Sequence, residues 1–322
     1  MDMQKRIFEL ILFLLLPFSA MCQKIDHMVS FRDIQSERYF RFNYDNDFFA
    51  AADKNYTQGY ALEFMLPILD RNPVNYIFLK PKNSVFRYGM ALEHIGYTPN
   101  DYVSAAIQVG DRPFASAIML KSFIIAVNDE RKDRISQSLS LGLIGPSAFG
   151  KEMQVGIHRA IGDKIPGGWD NQIANDFVLN YRIAYEKQLY RFRNTFALQA
   201  DIAAQLGTLF TNASVGVNTT MGLLDNPFDT ARGKTNFVIY AYAHPMVNSI
   251  GYDATLQGGL LNTRSIYTIN GNAIERFTAN LEYGIVIKTR TLYFEYTRTS
   301  ITREYATENS AKWGGVKIGF TF

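Results

Sequence analysis

Hydrophobic and polar residues alternate along most of this chain. In FNYDNDFF (42–49), Phe42, Tyr44, Asn46 and Phe48 share one register, while Asn43, Asp45 and Asp47 share the other. A period of two marks a β-strand. TQGYALEFML (57–66) puts Tyr60, Leu62, Phe64 and Leu66 on one face, and SVFRYGMALE (84–93) does the same with Phe86, Tyr88, Met90 and Leu92. RISQSLSLGLIG (134–145) sets Ile135, Leu139 and Leu141 against Ser136, Ser138, Ser140 and Gly142. The pattern returns in 177–190, 195–207, 235–247, 276–289 and 291–300. It closes in GVKIGFTF (315–322), where Val316, Ile318, Phe320 and Phe322 alternate with Lys317, Gly319 and Thr321. Roughly twelve such segments of about ten residues have the length a tilted strand needs to cross a bilayer. Their even number suits a single-chain bacterial barrel. The pattern therefore predicts an all-β fold, an antiparallel transmembrane β-barrel of about 12 strands. A soluble sandwich or lipocalin-like barrel would need fewer strands and an apolar interior, whereas the second face here carries Ser, Gly, Asn and Arg.

One segment breaks the alternation. In SAFGKEMQVGIHRAIG (147–162), Met153, Ile157 and Ile161 fall on one helical stripe, with Gln154 and His158 on an adjacent one. Ser147 is the expected N-cap and Gly162 the expected stop. A short helix followed by the loop DKIPGGWDNQIAND, set between two barrel strands, reads as an extracellular loop with a purpose.

Composition places the barrel. The chain has 322 residues, 47% hydrophobic and 14% aromatic, with 19 Tyr and 24 Phe; Tyr suits a membrane–water boundary. The net charge is only +3 and the basic residues are scattered, so no nucleic-acid partner is expected. Lys5 and Arg6 precede the apolar run IFELILFLLLPFSAM and then CQK, the layout of a secretory leader. Cleavage after Cys22 would leave a signal peptide of residues 1–22 and a single barrel domain of residues 23–322. The alternative is a lipid anchor on Cys22. One cysteine allows no disulfide within the chain, and no later stretch is apolar enough for a spanning helix. An exported chain of this kind belongs in a bacterial outer membrane.

The candidate chemistry is narrow. The four histidines are His27, His94, His158 and His244. There is no Gly-x-Ser-x-Gly elbow, no His-Glu-x-x-His and no Cys/His cluster for zinc. What remains is a histidine base with a carboxylate-bound hard cation. Asp45 and Asp47, with Asn46 between them, offer oxygen ligands of the kind Ca²⁺ accepts, and a histidine of ordinary pKa takes a proton from water near neutral pH. From the residues alone, the same triplet also reads as a solvated strand end, and His158 as a surface helix residue. His94 and His244 lie in alternating strands and read as lumen-facing or interfacial, without a role.

Four blocks in order change this balance: NYDNDFF with DKNYTQGY (53–60), YTPNDY (97–102) with GDRPFASA (110–117), GLIGPSAFGKEMQVGIHRAIG (142–162), and PGGWDNQI (166–173). Together they resemble the outer-membrane lipid A 3-O-deacylase family. The resemblance covers about residues 42 to 173; the second half of the chain matches only as barrel strands. It implies a twelve-stranded barrel whose site lies between the wall and a loop helix near the outer leaflet. It also implies ester hydrolysis that removes the 3-position acyl chain of lipid A. His158 would be the general base and Asp47 would help hold Ca²⁺. Asn46 would orient the site or the ester, and Thr57 would make a polar contact. Trp169 and Gln172 would shape the substrate site or fix the loop, and Arg112 would meet a lipid A phosphate or hold the structure of its loop. The implied partner is lipopolysaccharide of the outer leaflet, and a monomer is the expected state. An outer-membrane phospholipase, or a non-catalytic barrel such as a porin, are the alternatives.

Overall fold

Alternation resolves into the two sides of one wall. In the computed structural model, which describes residues 34–50, 55–229, 236–308 and 310–322, Arg41, Asn43 and Asp45 are buried while Phe42 between them is exposed. The expected leader lies outside the described residues. The strands are β1 (Tyr39–Asn46), β2 (Asn55–Met65), β3 (Val85–Thr98), β4 (Ala115–Asn128), β5 (Asp133–Ile144), β6 (Asp176–Phe192), β7 (Phe196–Gly207), β8 (Phe210–Leu223), β9 (Phe237–Asp253), β10 (Phe277–Thr289), β11 (Leu292–Ile301) and β12 (Ala311–Thr321). Each pairs antiparallel with the next, and β1 pairs with β12, closing the barrel. Phe42 of β1 stands opposite Ile318 of β12 and Leu62 of β2, so apolar residues of three strands meet on the outer face. No described helix is long and apolar enough to cross a membrane; the strands make the crossing.

Strand direction sorts the connections. Both ends of the barrel chain, the short turns at 129–132, 193–195 and 290–291, and the connections 66–84 and 224–236 share one end. The connections 47–54, 99–114, 145–175, 208–209, 254–276 and 302–310 share the other. In outer-membrane barrels the short turns are periplasmic and the longer loops external.

The inward residues fill the lumen. Lys317 Nζ lies 2.7 Å from Glu295 Oε1, and the Tyr242 hydroxyl donates to the same oxygen at 2.7 Å. Arg41 pairs with Glu63 at 2.8 Å and His244 Nε2 meets Asp201 at 2.7 Å. All of these groups are buried. At the periplasmic mouth Phe228 is buried under the Arg134 guanidinium, 5.2 Å from the ring centroid, and Arg134 Nη2 donates to the Pro227 carbonyl at 2.9 Å. This lumen is a packed polar core rather than the aqueous channel of a porin. His244 is lumenal, as the alternation suggested.

The external mouth is covered by the connections at 99–114, 254–276 and 302–308. Arg112 sits at its centre, 1% exposed. Its Nη1 meets Glu304 at 2.7 Å, its Nη2 donates to Thr255 at 3.3 Å, and its guanidinium lies 4.1 Å over the Tyr97 ring. Glu308 accepts the Glu304 amide hydrogen beside this cluster.

On the outer wall, the β2–β3 connection (66–84) lies flat against β3 to β6 as a strap. Asn72 Nδ2 donates to Ser122 Oγ at 3.2 Å. Gln137 reads both backbone groups of Leu79: its Oε1 accepts the amide at 2.7 Å and its Nε2 donates to the carbonyl at 2.8 Å. Tyr181 donates to the same Oε1 at 2.8 Å, and its ring lies 6.2 Å from that of Phe78. Ser122 and Gln137 share the outward register of Leu120 and Leu141. The cover is plain on β4, where outward Ile124 is 0% exposed and Leu120, four residues away on the same face, is 49% exposed.

Burial, and secondarily the charge of Glu304, pushes the Glu308 carboxyl up from 4.5 to about 9. A carboxyl raised on folding binds a proton that the unfolded chain has lost, so its contribution is fully present below about pH 4.5 and is lost as pH rises through about 9. Glu308→Gln removes this dependence. Its melting midpoint is expected to exceed that of the parent at about pH 8 and to equal it at about pH 4, as followed by the heat-dependent gel mobility of the barrel.

Candidate active site

The chain leaving β5 turns back over the outer face of β4. Gly145 makes this possible with φ 100, a conformation side chains rarely adopt. Its N–H donates to the Ser116 carbonyl at 2.8 Å, and Ser116 Oγ donates to the Gly145 carbonyl at 3.3 Å. A 3-10 turn (Pro146–Ala148) follows, and then helix α1 (Gly150–Ile161). The expected N-cap does not hold. Phe149, at φ 60, is the N-cap, and Ser147 instead donates its amide hydrogen to Asn175 Oδ1 at 2.8 Å. The stop is as expected: Gly162 adopts φ 72 and its N–H reaches the His158 carbonyl.

The turn is pinned to the wall by His94. Its Nε2 lies 2.9 Å from the Ala148 carbonyl, and its ring stacks on Tyr60 at 5.1 Å and 10°. A carbonyl only accepts, so Nε2 carries the hydrogen. His94 shares the lipid-facing register of exposed Leu92, yet it is fully buried by the loop. The expected idle position is therefore corrected: His94 anchors the loop that carries α1.

α1 turns its polar stripe to the barrel and its apolar stripe away. Gln154 is buried and accepts the Trp169 indole hydrogen at 2.7 Å; Trp169 in turn packs on Phe114 at 5.0 Å. One turn further, the His158 ring meets Tyr102 edge-on at 5.5 Å. Its Nδ1 lies 2.6 Å from the Lys164 carbonyl and 3.7 Å from Asp163 Oδ2. Ile157 and Ile161 face outward and are exposed. A helix at a water-washed surface has the opposite polarity; this one suits apolar surroundings on its far side.

The second group lies at the rim of β1 to β3. Asn46 Nδ2 donates to the Thr57 carbonyl at 2.8 Å and to the Tyr44 hydroxyl at 3.2 Å. Thr57 is the extra residue of a bulge, because Tyr56 pairs with Tyr97 and Gln58 with Gly96. Bulges re-aim side chains beside functional sites. The Thr57 hydroxyl lies 2.5 Å from that of Thr98. Asp47 is buried and opens the 3-10 turn Asp47–Ala50, whose Phe49 meets Tyr44 edge-on at 6.1 Å. Thr98 ends β3, and Tyr102 follows four residues later. The Asn46–Thr57–Thr98 chain and the Tyr102–His158 contact both lie at the external end of the barrel, and β3 with the loop after it runs from one to the other.

Trp169 and Gln172 belong to the loop under α1. Gln172 is buried, and its amide hydrogen closes the turn onto the Trp169 carbonyl at 3.2 Å. Arg112 stands in the mouth of the barrel, its guanidinium over the Tyr97 ring and engaged with Glu304 and Thr255. Gln154, Tyr102, Thr98 and His94 join these contacts without having been singled out as site residues. Gln154 had a signal in its i, i+4 spacing from His158, and Thr98 and Tyr102 lie in the block YTPNDY; nothing in the sequence marked His94 as an anchor.

Closed barrel, external loop helix and polar rim define an outer-membrane β-barrel with a seam between the outside of its wall and the β5–β6 connection. A family model described as "Outer membrane protein LpxR" matches residues 9–322, and the chain belongs to that family. Among solved structures, LpxR from Salmonella typhimurium is similar at a TM-score of 0.72 and 18% identity, covering 88% of this chain and 100% of that one. That likeness is one of fold. The β domain of the Bordetella autotransporter BrkA matches at a TM-score of 0.47 and 8% identity, covering 89% of this chain and 99% of that one. No curated protein matches by sequence.

Gly150 is the tightest point between helix and wall. A Cβ there would lie 2.5 Å from Ser116 Cβ and 2.7 Å from the Trp169 ring. Gly150→Ala is therefore expected to lift α1, seen as a red shift of Trp169 emission in a Trp313→Phe background and faster proteolysis within 145–175.

Proposed function

We propose that this chain is a lipid A 3-O-deacylase, hydrolysing the ester of the 3-linked acyl chain in the outer leaflet. The observation that carries the reading is the state of His158. Lys164 offers its Nδ1 only a carbonyl oxygen, so Nδ1 holds the hydrogen and Nε2 is the basic nitrogen. A base so fixed takes the proton of a water as that water attacks the ester carbon, then returns it to the departing sugar oxygen. Asp163, 3.7 Å from Nδ1, steadies the imidazolium formed between the two transfers. Tyr102 holds the ring edge-on. Asn46, its amide nitrogen engaged by the Thr57 carbonyl, orients the rim. The outward apolar stripe of α1 keeps the seam among acyl chains, where the substrate ester lies.

Asp47, with the amide and hydroxyl oxygens of Asn46 and Thr57, supplies hard oxygen donors of the kind Ca²⁺ takes. Among the described residues no three His, Cys, Asp or Glu side chains form a metal cluster. These donors fit the cation in type, and when bound it would polarise the ester carbonyl.

His158→Ala is expected to lower deacylation by about 10²–10⁴-fold and to leave heat-dependent gel mobility unchanged. Mass spectrometry of lipid A from cells making each form reads the loss; intact lipid A with the parent chain, or lysophospholipid in its place, would refute the assignment. Chelation is expected to stop the parent's activity, and added Ca²⁺ to restore it more fully than Mg²⁺.

A further inference from the structure

Residues 66–84 join two strands at the periplasmic end, where a barrel needs only a short turn. The strap climbs the outer wall instead. Its underside is satisfied by Ser122 and Gln137, two polar side chains on the lipid-facing register. Its outer side carries large apolar side chains. Tyr76 is 90% exposed, and Ile68, Ile77 and Leu79 are each more than half exposed. Exposed Arg71, Lys80 and Lys82 lie along it, with the Lys80 ammonium 5.8 Å over the Tyr88 ring. In water an apolar patch of this kind would be a liability. Here it is continuous with the lipid-facing belt formed by exposed Leu120, Leu141 and Leu179 on β4 to β6.

We propose that the strap is seated in the inner leaflet of the outer membrane and that its partner is phospholipid. Ile68, Ile77 and Leu79 meet acyl chains, Tyr76 lies at the boundary, and Arg71, Lys80 and Lys82 meet the headgroup phosphates. The wall and the strap form one surface, polar inside the seam and apolar outside it. This assignment does not rest on the enzymatic reading.

The test uses single-cysteine full-length chains in a Cys22→Ser background, labelled with an environment-sensitive fluorophore. Tyr76→Cys and Ile77→Cys report on the strap. Leu141→Cys serves as a lipid reference and Glu130→Cys, in the 129–132 turn, as a water reference. The chains are placed in phosphatidylethanolamine and phosphatidylglycerol vesicles with plain or brominated acyl chains, and only forms with the parent's heat-dependent mobility are compared. The strap labels are expected to lose fluorescence with brominated chains, as position 141 does, and to keep it when iodide is added. Iodide quenching like that at position 130, without bromolipid quenching, overturns the proposal. So does self-quenching that rises with protein density in place of bromolipid quenching, which would put a second copy of the chain on the strap.

Discussion

Hydrocarbon offers no hydrogen-bond partner, so every polar group on a membrane-spanning wall needs one from the protein. The backbone meets this demand by closing β12 onto β1. The side chains meet it less uniformly, because several of them, Ser122, Gln137, His94 and Ser116 among these, break the apolar rule on the outer face of β3, β4 and β5. Ser122 and Gln137 are served by the strap. His94 and Ser116 are served by the turn after β5, through the carbonyls of Ala148 and Gly145. The two connections that fold back onto the wall are thus two answers to one problem, one at each end of the same strands. The external answer also brings helix α1 into place.

Alternation exposed the strands wherever lipid lies on one side and a polar lumen on the other, as in β1, β3 and β12. It was faint in β4, ASAIMLKSFIIAVN, for a physical reason. Phe123, Ile125 and Val127 pack inward, while Ile124 and Ala126 are buried outward under the strap, so neither face is polar. β8 blurs the period differently, with Thr211, Ala213 and Thr219 on its outward register. The start of α1 escaped notice because nothing about Phe149 announces a left-handed backbone, whereas Gly162 announces its own.

The site was legible where it was local. Gln154 and His158 are one turn apart on a single helix, and Asn46 and Asp47 are adjacent. The indole that meets Gln154 lies 15 residues on, and the ring that meets His158 precedes α1 by a whole strand pair. Arg112 shows the limit most clearly. A guanidinium in a polar loop reads as exposed, but its carboxylate is 192 residues away and arrives only when β11 and β12 close the barrel. The lumen belongs to the same class of long-range facts. Its ion pairs join neighbouring strands, as Arg41 to Glu63 and Lys317 to Glu295, and removing one partner of such a buried pair typically costs about 3–5 kcal/mol.

The packed interior has a consequence for the cell that carries this barrel. Twelve strands can enclose a conduit, and each open conduit is a route for small hydrophilic toxins. With Phe228 stopping one mouth and the Arg112 cluster the other, abundance of this protein is uncoupled from leakiness of the envelope. The number of copies can rise with no toll on the permeability barrier.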